Sequence, residues 1–249
     1  MPLKDYRVAL VSGASSGIGA AAAESLARSG LEVHALARRQ DRLEALQAKI
    51  GCDVHVLDIR NRDAVHNLFG NRRIDVLINN AGLGRGYEAL SETLLDDIDR
   101  TIDTNVKGSL YLLRAVLPGM IERDCGHIVN VGSAAGLYPL KWSLYGSSKA
   151  AIRMLSQNLR LELEGTRVRV TEICPGRVTT EFYDVTLDDP IRREALKASG
   201  IHELQPQDIA DAIRYSLNAP WHVNINRIEI MPTEQTYGGS RFTPVKYPK

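Results

Sequence analysis

The alternation of short β-branched runs with longer amphipathic stretches limits what this chain can fold into more than any other feature. Residues 7–11 (RVALV), 33–37, 53–57, 75–79 (DVLIN), 127–131 (HIVNV), 168–173 and 225–230 read as strands. Helical patterns fall between them: about 18–29, stopped by Gly30; 41–49, capped by Asp41; a long region 90–117 with Pro118 near its end; 145–164, stopped by Gly165; and 207–217. Strands that alternate with helices of this length build βαβ units. Such units demand a parallel sheet covered on both faces, with right-handed crossovers. The expected fold class is therefore α/β: a doubly wound parallel sheet of about seven strands with helices on both faces. No linker and no repeat interrupts the pattern, so residues 1–249 read as a single domain. Two stretches stand outside it. Residues 181–205 mix apolar and charged side chains and read as a substrate lid. Residues 232–249, with Tyr237, Phe242 and Tyr247, read as a tail packed on a neighbouring subunit.

Composition narrows the function. Lys and Arg exceed Asp and Glu by one, which argues against an electrostatic nucleic-acid binder. Hydrophobic residues at 44% and charged residues at 24% are those of a soluble globular chain. No apolar run is long enough to span a membrane, and the N-terminus has no basic-then-apolar leader pattern. Cys52, Cys125 and Cys174 are few and widely spaced, without a CxxC pair, so neither a metal site nor a disulfide framework is expected from them. The expected location is the cytoplasm.

The chemistry begins after the first strand. Gly13, Gly17 and Gly19 stand in GxxxGxG spacing, with Ser15, Ser16 and Ile18 between them. Glycines permit a tight turn, and the free N–H groups at the start of the following helix can hold a pyrophosphate, as in a Rossmann fold. The end of the second strand selects the dinucleotide. A carboxylate there, about 20 residues on, would bond the ribose 2′-hydroxyl of NAD. Here the strand ends in Arg38 and Arg39, whose guanidiniums suit a 2′-phosphate. NADP is favoured over NAD, with Arg38 the better candidate because it follows the strand directly.

The motifs, in order, are the glycine turn Gly13–Gly19, then Asn79-Asn80-Ala81-Gly82 after the fourth strand, Asn105 in the long helical region, Ser133 after the fifth strand, Tyr145 and Lys149 four apart on a helix, and Pro175-Gly176 after the sixth strand. Together they make the chain resemble a short-chain dehydrogenase/reductase over nearly its whole length. The resemblance implies a catalytic tetrad of Asn105, Ser133, Tyr145 and Lys149. Tyr145 is the general acid/base, its pKa lowered by the nearby ammonium. Ser133 polarises the substrate oxygen, Lys149 bonds the nicotinamide ribose, and Asn105 holds a water that links Lys149 to solvent. It further implies cofactor contacts from Asp58 and Ile59 near the adenine, with Asp58 equally readable as a helix cap. Asn80, Ala81, Gly82 and Val106 line the adenosine side, and Pro175, Gly176, Val178 and Thr180 lie near the nicotinamide.

Residues 102–105, 114–122 and 219–231 resemble a branch of the family containing NADP-dependent dehydrogenases of serine and other small 3-hydroxy acids, and clavulanate-type aldehyde reductases. That implies a small polar carbonyl or alcohol as substrate and a homotetramer. Arg85, Lys141 and Arg177 are candidate cations for an anionic substrate. Two alternatives stay open: reduction of a bulkier or cyclic secondary-metabolite carbonyl, and a non-catalytic dinucleotide-binding regulator on the same fold.

Overall fold

A computed structural model describes residues 3–236, 242–245 and 247. β1 (Val8–Ser12), β2 (Glu32–Ala37), β3 (Asp53–Val56), β4 (Val76–Asn79), β5 (Gly126–Val131), β6 (Val168–Pro175) and β7 (Arg227–Ile230) form one parallel sheet in the order β3-β2-β1-β4-β5-β6-β7. β1 pairs with β2 at Val11–Ala35 and with β4 at Val11–Ile78, so chain direction across the sheet switches between β1 and β4. Ligand sites of such sheets lie beyond the strand ends at this switch.

Side chains alternate across each strand into two cores. Ala9, Val11, Val76 and Ile78 face α1 (Gly17–Arg28), α2 (Gln40–Ile50) and α9 (Pro206–Leu217) through Ala22, Ala23, Leu26, Leu43, Ile209 and Ile213. Val8, Leu10 and Leu77 face α3 (Arg62–Phe69), α5 (Ser109–Glu122) and α6 (Ser143–Glu162) through Val65, Phe69, Leu112, Val116 and Leu159. Burial on both faces accounts for the nearly unbroken apolar strands.

The long helical region expected at 90–117 is divided. A short 3₁₀ turn is followed by α4 (Leu95–Ile102), a π-helical turn (Asp103–Gly108) and then α5. α5 does not stop at Pro118 but runs on to Glu122, because Met120 beyond it is fully buried in the second core. Tertiary packing here outweighs the lost N–H and ring clash of an internal proline. α3 was not expected at all. Its N-terminus is capped by Asn61, whose side chain accepts from the Ala64 N–H at 3.1 Å, so the capping role considered for Asp58 falls to Asn61.

Residues 181–205 contain α7 (Phe182–Thr186) and α8 (Pro190–Lys197), capped by Asp189. Of the tail, Tyr237 lies outside the described residues. Phe242 bridges Gln235 in antiparallel fashion, and the Val245 N–H donates to Glu234 at 2.6 Å, so this part folds back on its own chain.

Candidate active site

The ends of β1, β2, β4, β5 and β6 surround a cavity of about 1020 Å³. Its floor starts at the glycine turn. Gly13 has φ +68°, and a Cβ there would lie 2.8 Å from Asn80 Nδ2. Gly19 is packed beneath the turn: a Cβ would stand 2.3 Å from the Gly13 carbonyl oxygen, which is why it does not line the cavity while Gly13, Ser15, Ser16, Gly17 and Ile18 do. Ser16, the N-cap of α1, makes no side-chain cap bond, and the first turn of α1 has no acidic residue. The N-terminal N–H groups of α1 are thus left for an anion.

Arg38 and Arg39 both line the cavity next to this turn. Arg38 is 61% exposed and only 4.0 Å from Asp58 at its closest approach. Arg39 folds over the turn instead. It donates to Ser15 Oγ at 3.0 and 3.1 Å, to Ser16 Oγ at 2.6 Å and to the Glu181 carboxylate at 2.7 Å. Arg42 reaches the same carboxylate at 3.4 Å. Burial acts to raise the Glu181 carboxyl, but the hydrogen bond from Arg39 is the larger influence and holds it below the usual range. Asp58 and Ile59 line the adjoining wall. Burial is the largest influence on the Asp58 carboxyl and acts to raise it, but the forked pair from Arg60 at 2.7–3.1 Å, the Arg60 N–H and the charges of Arg60 and Arg38 together hold it below the usual range. Asn80, Ala81 and Gly82 also line the cavity, held by Ser12 Oγ, which accepts from the Asn80 and Ala81 N–H groups at 3.0 Å. Val106 is not on the wall; Thr104, two residues earlier, is.

At the far end stand Ser133, Tyr145 and Lys149. Ser133 Oγ accepts from the Ala135 N–H at 3.1 Å and hydrogen-bonds Tyr145. Tyr145 and Lys149 lie one turn apart on α6, with Lys149 Nζ 6.0 Å from the Tyr145 ring centre. The pKa of Tyr145 departs from expectation in sign. Burial pushes it up to about 12, and the Ser133 hydrogen bond only partly opposes this. Lys149 is buried and donates to the Val131 carbonyl at 2.8 Å; burial pushes its pKa down to about 8. Asn105, in the π turn, is also buried but does not line the cavity. Its Oδ1 accepts from the Leu83 N–H at 2.8 Å, and its Nδ2 donates to the Leu83 carbonyl at 2.8 Å and Ser148 Oγ at 3.0 Å. The Asn105 side chain thus clamps the β4 loop to α6. Pro175, Gly176, Val178 and Thr180 also line the cavity, with Thr180 next to Gly17 of the glycine turn.

Beyond Tyr145 the wall is aromatic. Phe182 of α7 sits with its ring 5.3 Å from that of Tyr145, and Tyr87 packs on Trp142 at 3.9 Å. Neither contact has a local sequence signal, since each joins residues far apart along the chain. Of the candidate substrate cations, Lys141 is exposed and off the wall. Arg85 lines it, bound to Asp97 at 2.9 Å and in a fork to Asp188 at 2.8 and 2.9 Å. Arg177 lines it too, paired with Glu203 and stacked 4.9 Å over Tyr183 and 5.5 Å over Phe242. Gln235 accepts from the Arg177 N–H at 2.8 Å, which places part of the tail against this cavity.

Comparison with known proteins agrees with this geometry. Residues 7–190 match the family described as short chain dehydrogenase. The NADP-dependent 3-hydroxy acid dehydrogenase YdfG of Salmonella typhi is 42% identical over 241 residues, 93% of this chain and 97% of that protein. The closed form of serine dehydrogenase complexed with NADP+ superposes with a TM-score of 0.89 at 40% identity, covering 95% of this chain and 99% of that one. A metagenomic short-chain oxidoreductase in complex with NADP does so at 0.77 and 30% identity, covering 92% and 98%.

Proposed function

The chain belongs to the short-chain dehydrogenase family, and from that premise we propose that it is an NADP-dependent oxidoreductase acting on a small polar carbonyl or alcohol, with 3-hydroxy acids as the substrate class. The observation that carries this reading is the single cavity running from an anion-ready helix start and two arginines to Ser133, Tyr145 and Lys149. NADP(H), when bound, supplies or takes the hydride. The glycine turn and the start of α1 would hold its pyrophosphate, and Arg38 with Arg39 its 2′-phosphate.

The protein's own part is proton management. With a pKa near 12, Tyr145 is a phenol at neutral pH and is set to donate a proton to a carbonyl oxygen. Ser133, hydrogen-bonded to Tyr145, adds a donor where negative charge develops on that oxygen. In the oxidative direction Tyr145 must accept the alcohol's proton, with the Ser133 hydrogen bond acting to favour the phenolate against burial. Phe182 and the Tyr87–Trp142 pair exclude water from this end. A substrate carboxylate would exchange with Asp188 on Arg85, or with Glu203 on Arg177. A regulator without catalysis would have no use for a proton donor and a buried lysine at the same end of the cavity.

The functional chain is a homotetramer of the cytoplasm. Exposed apolar side chains on α4, α5 and α6, among them Leu95, Leu110 and Met154, support assembly, and three free cysteines suit a reducing compartment. The test is steady-state oxidation of serine and 3-hydroxypropanoate, and reduction of the matching aldehydes, with NADP(H) against NAD(H). A preference for NADP(H) above about tenfold, roughly 1.4 kcal/mol, is expected. Equal use of both cofactors, or turnover confined to bulky cyclic ketones, would overturn the reading.

A further inference from the structure

Arg85 and Arg177 both line the cavity with a carboxylate in hand, but the two pairs are not built alike. Arg85 is mounted on a fixed stretch of chain. Leu83 before it is clamped by Asn105 at both its N–H and its carbonyl, at 2.8 Å each. Gly86 after it has φ +73°, and a Cβ there would stand 2.7 Å from Cδ2 of Leu144, the neighbour of Tyr145. A Cβ on Gly84 would run into the Phe182 ring, the same ring that rests on Tyr145. The residues on both sides of Arg85 thus abut the surroundings of the proton donor.

The Arg85 guanidinium divides its donors between two acids. Its Nε donates to Asp97 Oδ1 at 2.9 Å, and this pair is largely buried, at 14% and 12% exposed. Its Nη1 and Nη2 donate in parallel to the two oxygens of Asp188 at 2.8 and 2.9 Å. That is the bidentate fork with which arginine grips a carboxylate of any origin. The Asp188 side chain is 84% exposed, so its carboxylate returns to water with little penalty. Arg193 donates to the preceding carbonyl, that of Leu187, at 2.8 and 3.1 Å, which holds the backbone while the Asp188 side chain turns out. Arg177 offers no such exchange. Its partner Glu203 is only 13% exposed and also accepts from Thr179 Oγ1 at 3.3 Å, and Nη2 of Arg177 donates to the Leu196 carbonyl. An acid entering there would leave a buried carboxylate without its cation, which is strongly unfavourable.

On the dehydrogenase reading above, we propose that Arg85 is the specificity-determining residue that reads the carboxylate of the hydroxy acid. Asp97 fixes the direction of the fork, and Asp188 occupies it until the acid exchanges for it. One carboxylate leaves the fork as another enters, so the charge around Arg85 is unchanged when an acid binds. A neutral alcohol gains nothing at the fork. Arg177, stacked on Tyr183 and Phe242, is part of the wall rather than the reader.

The test is calorimetric titration of the full chain with 3-hydroxypropanoate and with its neutral amide, NADPH being present so that a bound alcohol cannot turn over. Wild type should bind the acid at least about tenfold tighter than the amide. Arg85→Lys keeps a cation beside buried Asp97 but loses the fork, and should reduce that ratio to about threefold or less. Asp188→Asn removes the internal competitor from an exposed position and should widen the ratio about threefold to tenfold. Equal binding of acid and amide by wild type, a ratio unchanged in Arg85→Lys, or a ratio that collapses in Arg177→Lys instead would overturn the assignment. The hydride chemistry is judged separately, by oxidation of neutral alcohols with NADP+. A chain that oxidises them yet binds acid and amide alike loses only Arg85's role. A chain that prefers the acid through Arg85 yet oxidises no alcohol keeps that role and loses the dehydrogenase reading.

Discussion

Replacing Lys149 by methionine should abolish turnover yet make the protein more stable at neutral pH. The fall of the Lys149 pKa from 10.5 to about 8 corresponds to roughly 3 kcal/mol of resistance by the fold to its ammonium. Methionine, of similar length, removes that resistance. It also removes the hydrogen bond to the Val131 carbonyl, worth about 1 kcal/mol. The net gain is about 2 kcal/mol, or about 4–8 °C in thermal midpoint for a chain of this size. The sign depends on pH. Between pH 8 and 10.5 the unfolded chain holds the lysine proton more tightly than the folded one, so wild type gains stability as pH rises through that window. The variant has no such gain. Its advantage should therefore shrink above pH 8 and be near zero by about pH 10. Thermal unfolding of both proteins at pH 7 and pH 10, at one protein concentration and without cofactor, measures this directly. A variant less stable than wild type at pH 7, or a difference that ignores pH, would refute the reasoning.

Tyr145→Phe removes only the phenolic proton, so kcat should fall about a thousandfold while NADPH affinity stays within about twofold; retention of a tenth of the activity would remove Tyr145 from its role. Glu181→Gln frees Arg39 from a carboxylate 2.7 Å away and should tighten NADPH binding about threefold to tenfold, ~0.7–1.4 kcal/mol, at low salt. Fluorescence titration that shows weaker binding would mean Glu181 supports the arginine rather than competing for it.

The strands and the glycine turn were legible because their physics is local. A strand buried on both faces must be apolar throughout, and a turn with φ near +68° at Gly13 must use glycine. α3 was harder to see, since only Val65 and Phe69 of its eight residues are buried, Ala64 and Leu68 are half-buried and the other four are polar. The π turn at Asp103–Gly108 is a shift in backbone hydrogen bonding, which leaves no mark in composition. The order of Ser133, Tyr145 and Lys149 could be read along the chain, but the rise of the Tyr145 pKa could not, because it depends on what packs around α6. The partners of the arginines were equally hidden: Arg39 meets Glu181 across 142 positions, and Arg85 meets Asp188 across 103.

Glu181 and Phe182 are adjacent, yet they serve opposite ends of the cavity. The first holds Arg39 at the phosphate end, and the second rests on Tyr145 at the reacting end. If Arg39 takes the 2′-phosphate as proposed, that phosphate and the Glu181 carboxylate would compete for one guanidinium, and cofactor entry would be coupled through Glu181 to the neighbouring Phe182 ring on Tyr145.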